Sequence, residues 1–187
     1  MQVDILRAAG HRRMRWKNGK GETVEIAIHP EAAGTDDFTW RISTATVAED
    51  GPFSVFPGID RNLSILTGKG MVLDVAGSET RLDASSPPYA FPGDQPTKAR
   101  LIDGKVTDLN VMTRRGAASA QVTRHTLDGP LDLPLQTGRA LVLVAHGRAS
   151  WGTETLGPGD CLDIAGGTGL LKLSGQAVLY RVLLDLP

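Results

Sequence analysis

Cysteine is nearly missing: Cys161 is the only one in 187 residues. That excludes an intrachain disulfide, a cysteine-built zinc site and a redox pair, and it suits a reducing compartment. The four histidines, His11, His29, His125 and His146, form no His-x-His or His-x-x-x-His pair. None has a carboxylate at a metal-ligand offset, so neither a metal nor another cofactor is expected. No apolar run approaches the ~20 residues that span a bilayer. The opening MQVDILRAAGHRRMRW has no apolar core of a signal peptide, so a cytoplasmic protein is expected. The formal charge of −1 gives no reason to expect nucleic acid or an anionic membrane as a partner. No Gly-x-Ser-x-Gly elbow and no phosphate-binding loop occur, so no catalytic residue is assigned. Cys161 follows a turn and opens an apolar strand, a packing position rather than a reactive one.

Helical patterning is missing too. No stretch sustains an apolar repeat of 3.6 residues; PEAAG and LDASSPP could each hold one turn. What is present is strand after strand between turns, with 22 Gly and 11 Pro to reverse the chain. VEIAIH alternates, with Val24, Ile26 and Ile28 on one face and Glu25, Ala27 and His29 on the other. In FTWRISTATV, Trp40 and Ile42 oppose Arg41 and Ser43. In DLNVM, Leu109 and Val111 oppose Asp108, Asn110 and Met112. RALVLVAHG reads as a strand buried on both faces. Gly68 to Gly70 reads as a hairpin turn, and Asp103 to Lys105 as a tight hairpin between KARLI and VTDLNVMTR. LSILTGKG followed by FPGD echoes LVLVAHGR followed by GPGD, the rhythm of a duplicated small barrel. The reading is one all-β domain over 1–187, with halves at about 1–115 and about 116–187.

Some polar residues sit where solvated loops do not account for them. Trp16, Lys17 and Asn18 precede a Gly-rich turn. Arg41 and Ser43 share a strand face, as do Asp108, Asn110 and Met112. DGPFSVFPGIDR carries Phe53 and Phe56 and ends on Asp60 and Arg61. It is too apolar for a solvated loop and too broken by Pro and Gly for a strand. Its phenylalanines would anchor it and its Arg61 would reach a pocket, unless Asp60 and Arg61 form a surface ion pair. Taken together, Lys17, Arg41 and Arg61 supply cations, and Asn18, Ser43 and Asn110 supply neutral hydrogen-bonding groups. That set suits a small carboxylate, which guanidinium grips through parallel N–H donors.

The motifs WKNGKGET-EIA, WR-S-A, DGPFSVFPGIDR-L--L-G-G, F-GD and DLNVM-RR, in this order, resemble the HutD/Ves family of bacterial proteins. The resemblance runs from about Trp16 to Arg115 and continues more vaguely to the C-terminus. It implies a metal-free bicupin, two cupin-like β-barrel halves in one chain with very little helix. It implies binding of a small carboxylate intermediate of histidine catabolism, urocanate or a formyl or formimino amino acid, and modulation of histidine utilisation. Carried over motif by motif, the ligand-binding residues are Trp16, Lys17, Asn18, Arg41, Ser43, Arg61, Asn110 and Met112. Lys20 stands where the family often has Gly. The alternatives are a metal-independent enzyme using Glu25, Asp60 or Asp108 as acid or base, and a Ves-like cold or stress role. A free edge strand would allow a homodimer.

Overall fold

The computed structural model describes residues 2–16, 19, 21–136 and 138–186. Almost all of the regular structure is β. The chain divides into two compact units, residues 1–11 with 119–187, and residues 12–118.

The first strand, β1 (Gln2–Leu6), belongs to the unit that also holds the C-terminus, and a single 3-10 turn follows at Ala8–Gly10. The second unit then runs through β2 (Arg12–Arg15), β3 (Gly21–His29), β4 (Trp40–Val47), β5 (Gly51–Pro52), β6 (Ile59–Thr67), β7 (Met71–Val75), β8 (Ser78–Leu82), β9 (Tyr89–Pro92), β10 (Thr97–Leu101) and β11 (Val106–Arg114). The remaining strands complete the first unit: β12 (Ser119–Asp128), β13 (Leu131–Leu135), β14 (Arg139–Trp151), β15 (Glu154–Leu156), β16 (Cys161–Ala165) and β17 (Gly169–Asp185).

In the unit of residues 12–118, a six-stranded sheet has the order β2-β3-β4-β11-β6-β9 and a four-stranded sheet the order β5-β10-β7-β8. The other unit holds one seven-stranded sheet, β1-β16-β14-β17-β12, with β13 added to β17 and β15 to β14. Every pairing is antiparallel, and each hydrogen-bonded path is open-ended rather than closed into a barrel among the described residues.

Alternation explains which residues make the core. Leu63 and Ile65 of β6 meet Met71 and Leu73 of β7 and Ala99 of β10, joining the two sheets of the 12–118 unit. Each fully buried Leu, Ile or Met side chain among them contributes about 1.5–3 kcal/mol. In the other unit Val142, Leu162, Leu171 and Leu179 form the corresponding cluster. Residues Ala140 to Ala145 are all buried, as expected for RALVLVAHG.

Three local readings are corrected. The Gly68–Gly70 turn does not join paired strands: β6 pairs with β11 and β9, whereas β7 pairs with β10 and β8. The chain crosses there from one sheet to the other, and Gly70, at φ 94°, lies so close to the Leu82 carbonyl that a Cβ would collide with it. Asp103 to Lys105 makes the return crossing, since β10 and β11 also lie in different sheets. The clean alternation of VEIAIH is broken by a β-bulge. Glu25 pairs with Ser43 but Ala27 with Ile42, so the extra residue moves Ile28 onto the face of Arg41.

Candidate functional site

Within the 12–118 unit, one face of β3, β4, β11 and β6 and the segment 49–56 enclose a cavity of about 510 Å³. Strand register decides what points into it. Met112 pairs with Arg41 on one side and with Arg61 on the other. Asn110 pairs with Ser43, which pairs with Glu25. Asp108 pairs with Ala45, which pairs with Thr23. Paired residues share a face, so three rows of side chains cross the wall, about 7 Å apart along the strands.

The two arginines lean from the first row toward the second. Arg41 donates from Nε to Glu25 Oε2 at 2.7 Å, and both side chains are nearly buried. Arg61 donates from Nε to Asn110 Oδ1 and from Nη1 to the Ser54 carbonyl, both at 3.4 Å. Both are long for N–H···O bonds. Phe53, Phe56 and Phe91 surround the Arg61 guanidinium, 5.0, 5.7 and 5.2 Å from the ring centres. Cation–π attraction compensates part of its lost hydration. Burial still dominates and pulls the Arg61 pKa down to about 10, with Asp108 opposing that shift and Arg41 adding to it.

Asp108 is 1% exposed, and its Oδ1 has no hydrogen-bond partner among the described residues. Burial pushes its carboxyl up to about 7, against the attraction of Arg61. Trp16 covers the third row, its Nε1 donating to Thr23 Oγ1 at 2.9 Å. Among the described residues no group of His, Cys, Asp or Glu is placed to hold a metal ion. The buried thiol of Cys161 is raised by desolvation and stays protonated.

Six residues singled out in the sequence, Trp16, Arg41, Ser43, Arg61, Asn110 and Met112, line this one cavity. Lys17 and Asn18 lie outside the described residues, as does Lys20. Asp60 and Arg61 do not pair with each other. Asp60 faces outward to Arg115 at 2.7 Å, and Arg115 also grips Asp94 through two contacts of 2.9 Å. Arg114 donates to the carbonyls of Phe38 and Asp36. The two arginines that close the DLNVM-RR motif are therefore structural. Sequence reasoning missed Glu25 as the partner of Arg41 and Thr23 as the support of Trp16. The regular register of β3 on β4 brings Glu25 to this row, opposite Ser43.

The HutD family model matches residues 8–180 of the chain. The chain belongs to the HutD family. Over 180 residues it is 33% identical to an uncharacterized 21.2 kDa protein of the hutC 3′ region in Pseudomonas putida, covering 94% of this chain and 93% of that one. Protein Ves of Citrobacter koseri is 43% identical over 108 residues, which are 57% of this chain and 56% of that protein. The solved structure of HutD from Pseudomonas fluorescens SBW25 superposes with a TM-score of 0.83 at 33% identity, over 98% of this chain and 100% of that one. Beyond the family, the cupin-like fold is shared with YhhW from Escherichia coli, at a TM-score of 0.69 and 9% identity over 97% of each chain.

Proposed function

We propose that this HutD-family chain binds a small carboxylate intermediate of histidine catabolism, urocanate or formyl- or formimino-glutamate, and tunes histidine utilisation. One observation carries the reading: two buried guanidiniums converge on one cavity wall, and that of Arg61 is held by hydrogen bonds of only 3.4 Å. A buried cation without close partners has lost its hydration with little in return. An incoming carboxylate supplies what is missing, through charge-assisted bonds to Arg61 and to the Nη groups of Arg41, which spends only Nε on Glu25. Asn110 and Ser43 orient it, and Trp16, Phe53, Phe56 and Met112 enclose its apolar body. The link to histidine breakdown rests on the Pseudomonas putida relative, whose gene lies in the hutC 3′ region. We read the two units as the cupin-like halves of a single bicupin, of which the 12–118 half carries the ligand.

Thermal unfolding with each of these acids and with histidine tests the proposal. A ligand at ~100 times its Kd adds ~2.7 kcal/mol, which raises Tm by several degrees. The variant Arg61→Met should bind no acid while remaining folded, with Asp108, deprived of the facing charge, protonated to a higher pH than in the parent. If no acid moves Tm at millimolar concentration, the reading fails.

A second reading has its own support. Asp108, held near neutrality, is poised as a general acid or base. Conversion of any of these acids by the purified protein, lost in Asp108→Asn, would establish it.

A further inference from the structure

We propose that Asp108 is a second anchoring point in the cavity, which accepts a hydrogen bond from an N–H group at the end of the ligand remote from its carboxylate. The inference rests on the carboxylate-binding reading above and adds the chemistry of the ligand's other end.

Arg41 and Arg61 reach Glu25 and Asn110, so their guanidiniums lie over the middle row of the wall. Asp108 stands one row further along β11, paired with Ala45. That is about 7 Å of strand. Trp16, Ala45 and Val47 line the cavity beside it. A short or flat ligand with its carboxylate over the middle row thus extends its other end to Asp108.

Asp108 is buried, and its Oδ1 is unpartnered among the described residues. Neither a hydrogen bond nor a close ion pair joins it to Arg61. Buried polar atoms in folded proteins nearly always have a partner, and this one lines a cavity. A nitrogen-bound hydrogen supplies the partner that the described residues do not.

The charged groups that face Asp108 are Arg61 from β6, Arg41 from β4 and Glu25 from β3, with Glu49 and Asp50 in the lining segment; no described histidine lines the cavity. Glu49 and Asp50 are exposed, so among the buried and nearly buried groups a bound monocarboxylate with Asp108 ionised makes three anions with Glu25 against two guanidiniums, and a dicarboxylate makes four. An acid without an N–H group therefore binds best when Asp108 is protonated, and loses affinity as pH rises past about 7. An acid with an N–H group gains a charge-assisted bond as Asp108 ionises, which offsets that loss.

Calorimetry on the full chain, at about pH 6 and about pH 8, distinguishes these cases. Urocanate is compared with 3-(2-furyl)acrylate, which keeps the acrylate and replaces the imidazole by a ring without N–H. N-formylglutamate is compared with glutarate. At the higher pH the N–H bearer of at least one pair should bind about tenfold tighter or more, and the preference should shrink at the lower pH. Asp108→Asn should leave the affinity of the N–H-free acid independent of pH. Equal binding within both pairs at the higher pH, with no pH dependence for the N–H-free acids, overturns the second anchor while leaving the carboxylate site standing. If none of the four acids binds, the carboxylate reading itself is lost, and this inference with it.

Discussion

Asp108 and Arg61 are oppositely charged and share one cavity, yet each is destabilised by its burial. The effect on stability follows from the direction of each shift. The Asp108 carboxyl titrates at about 7 in the folded protein against an ordinary value of 3.8. Between those values the folded chain holds a proton that the unfolded chain has released. The stability tied to that proton is fully present below about pH 4 and is lost as pH rises to about 7. Asp108→Asn keeps the shape and removes the charge. Its stability relative to the parent should therefore rise by roughly 3 kcal/mol between about pH 5 and about pH 8. Urea unfolding at both pH values measures this, and parallel pH profiles for the two proteins would refute the desolvated carboxylate. For Arg61 the pKa stays far above neutrality at about 10, so the guanidinium remains charged throughout and contributes no pH dependence in that window.

Strands explain why part of this site could be read from sequence and part could not. In β4 and β11 alternation is unbroken, so Arg41 with Ser43, and Asp108 with Asn110 and Met112, are placed on common faces by residue spacing alone. The same rule separates Asp60 from Arg61. As neighbours on β6 they point to opposite faces, one to Arg115 outside and the other to the cavity. Glu25 escapes because its neighbour across the sheet is a matter of register, and register is not written in one strand's own sequence. The Gly-Lys-Gly and Asp-Gly-Lys turns mislead for a related reason. Such residues allow the chain to reverse, but they do not specify which strand it pairs with next, so a hairpin and a crossing between sheets look alike. The Phe-Pro-Gly-Asp motif shows how element geometry reaches the site. Gly93 donates its N–H to the Ile59 carbonyl at 2.7 Å. A Cβ there would stand 2.9 Å from that carbonyl oxygen and 3.2 Å from Arg61 Cγ and Cδ. Gly93→Ala should therefore destabilise by about 1–3 kcal/mol and displace Arg61. Affinity for the carboxylate should fall as well, even where the variant is fully folded. Parental affinity in the folded variant would show that the strand edge and the guanidinium are independent.

At the scale of the whole molecule, the two units differ in how the chain builds them. Among the described residues the cavity draws only on those between Trp16 and Met112, a continuous stretch inside the 12–118 unit. The other unit needs both ends of the chain. β1 covers β16 along Gln2–Leu6, and Val3 and Ile5 pack on that unit's core. Beyond the strand, Arg7 reaches Glu154 at 2.5 Å and Asp160 at 3.1 Å. The Asp160 carboxylate also accepts the N–H groups of Ala8 and Gly157. These bonds hold the Asp160 pKa below the ordinary carboxylate range against the opposing effect of desolvation. The second Pro-Gly-Asp motif is thus a clamp on the N-terminal segment. Deleting residues 1–7 removes the clamp's arginine and leaves β16, with its apolar Leu162 and Ile164, as an uncovered edge. Unpaired apolar edges exchange their amide hydrogens and recruit other chains. Hydrogen exchange should show amides across 161–165 losing protection in the truncated chain, with a lower Tm and more aggregation. Carboxylate binding measured below that Tm should match the parent, because no described cavity residue belongs to the damaged unit. Unchanged protection at 161–165 would mean that β1 is dispensable to its sheet. Lost binding in a chain that is otherwise folded would mean that the cavity depends on more than the continuous stretch that lines it.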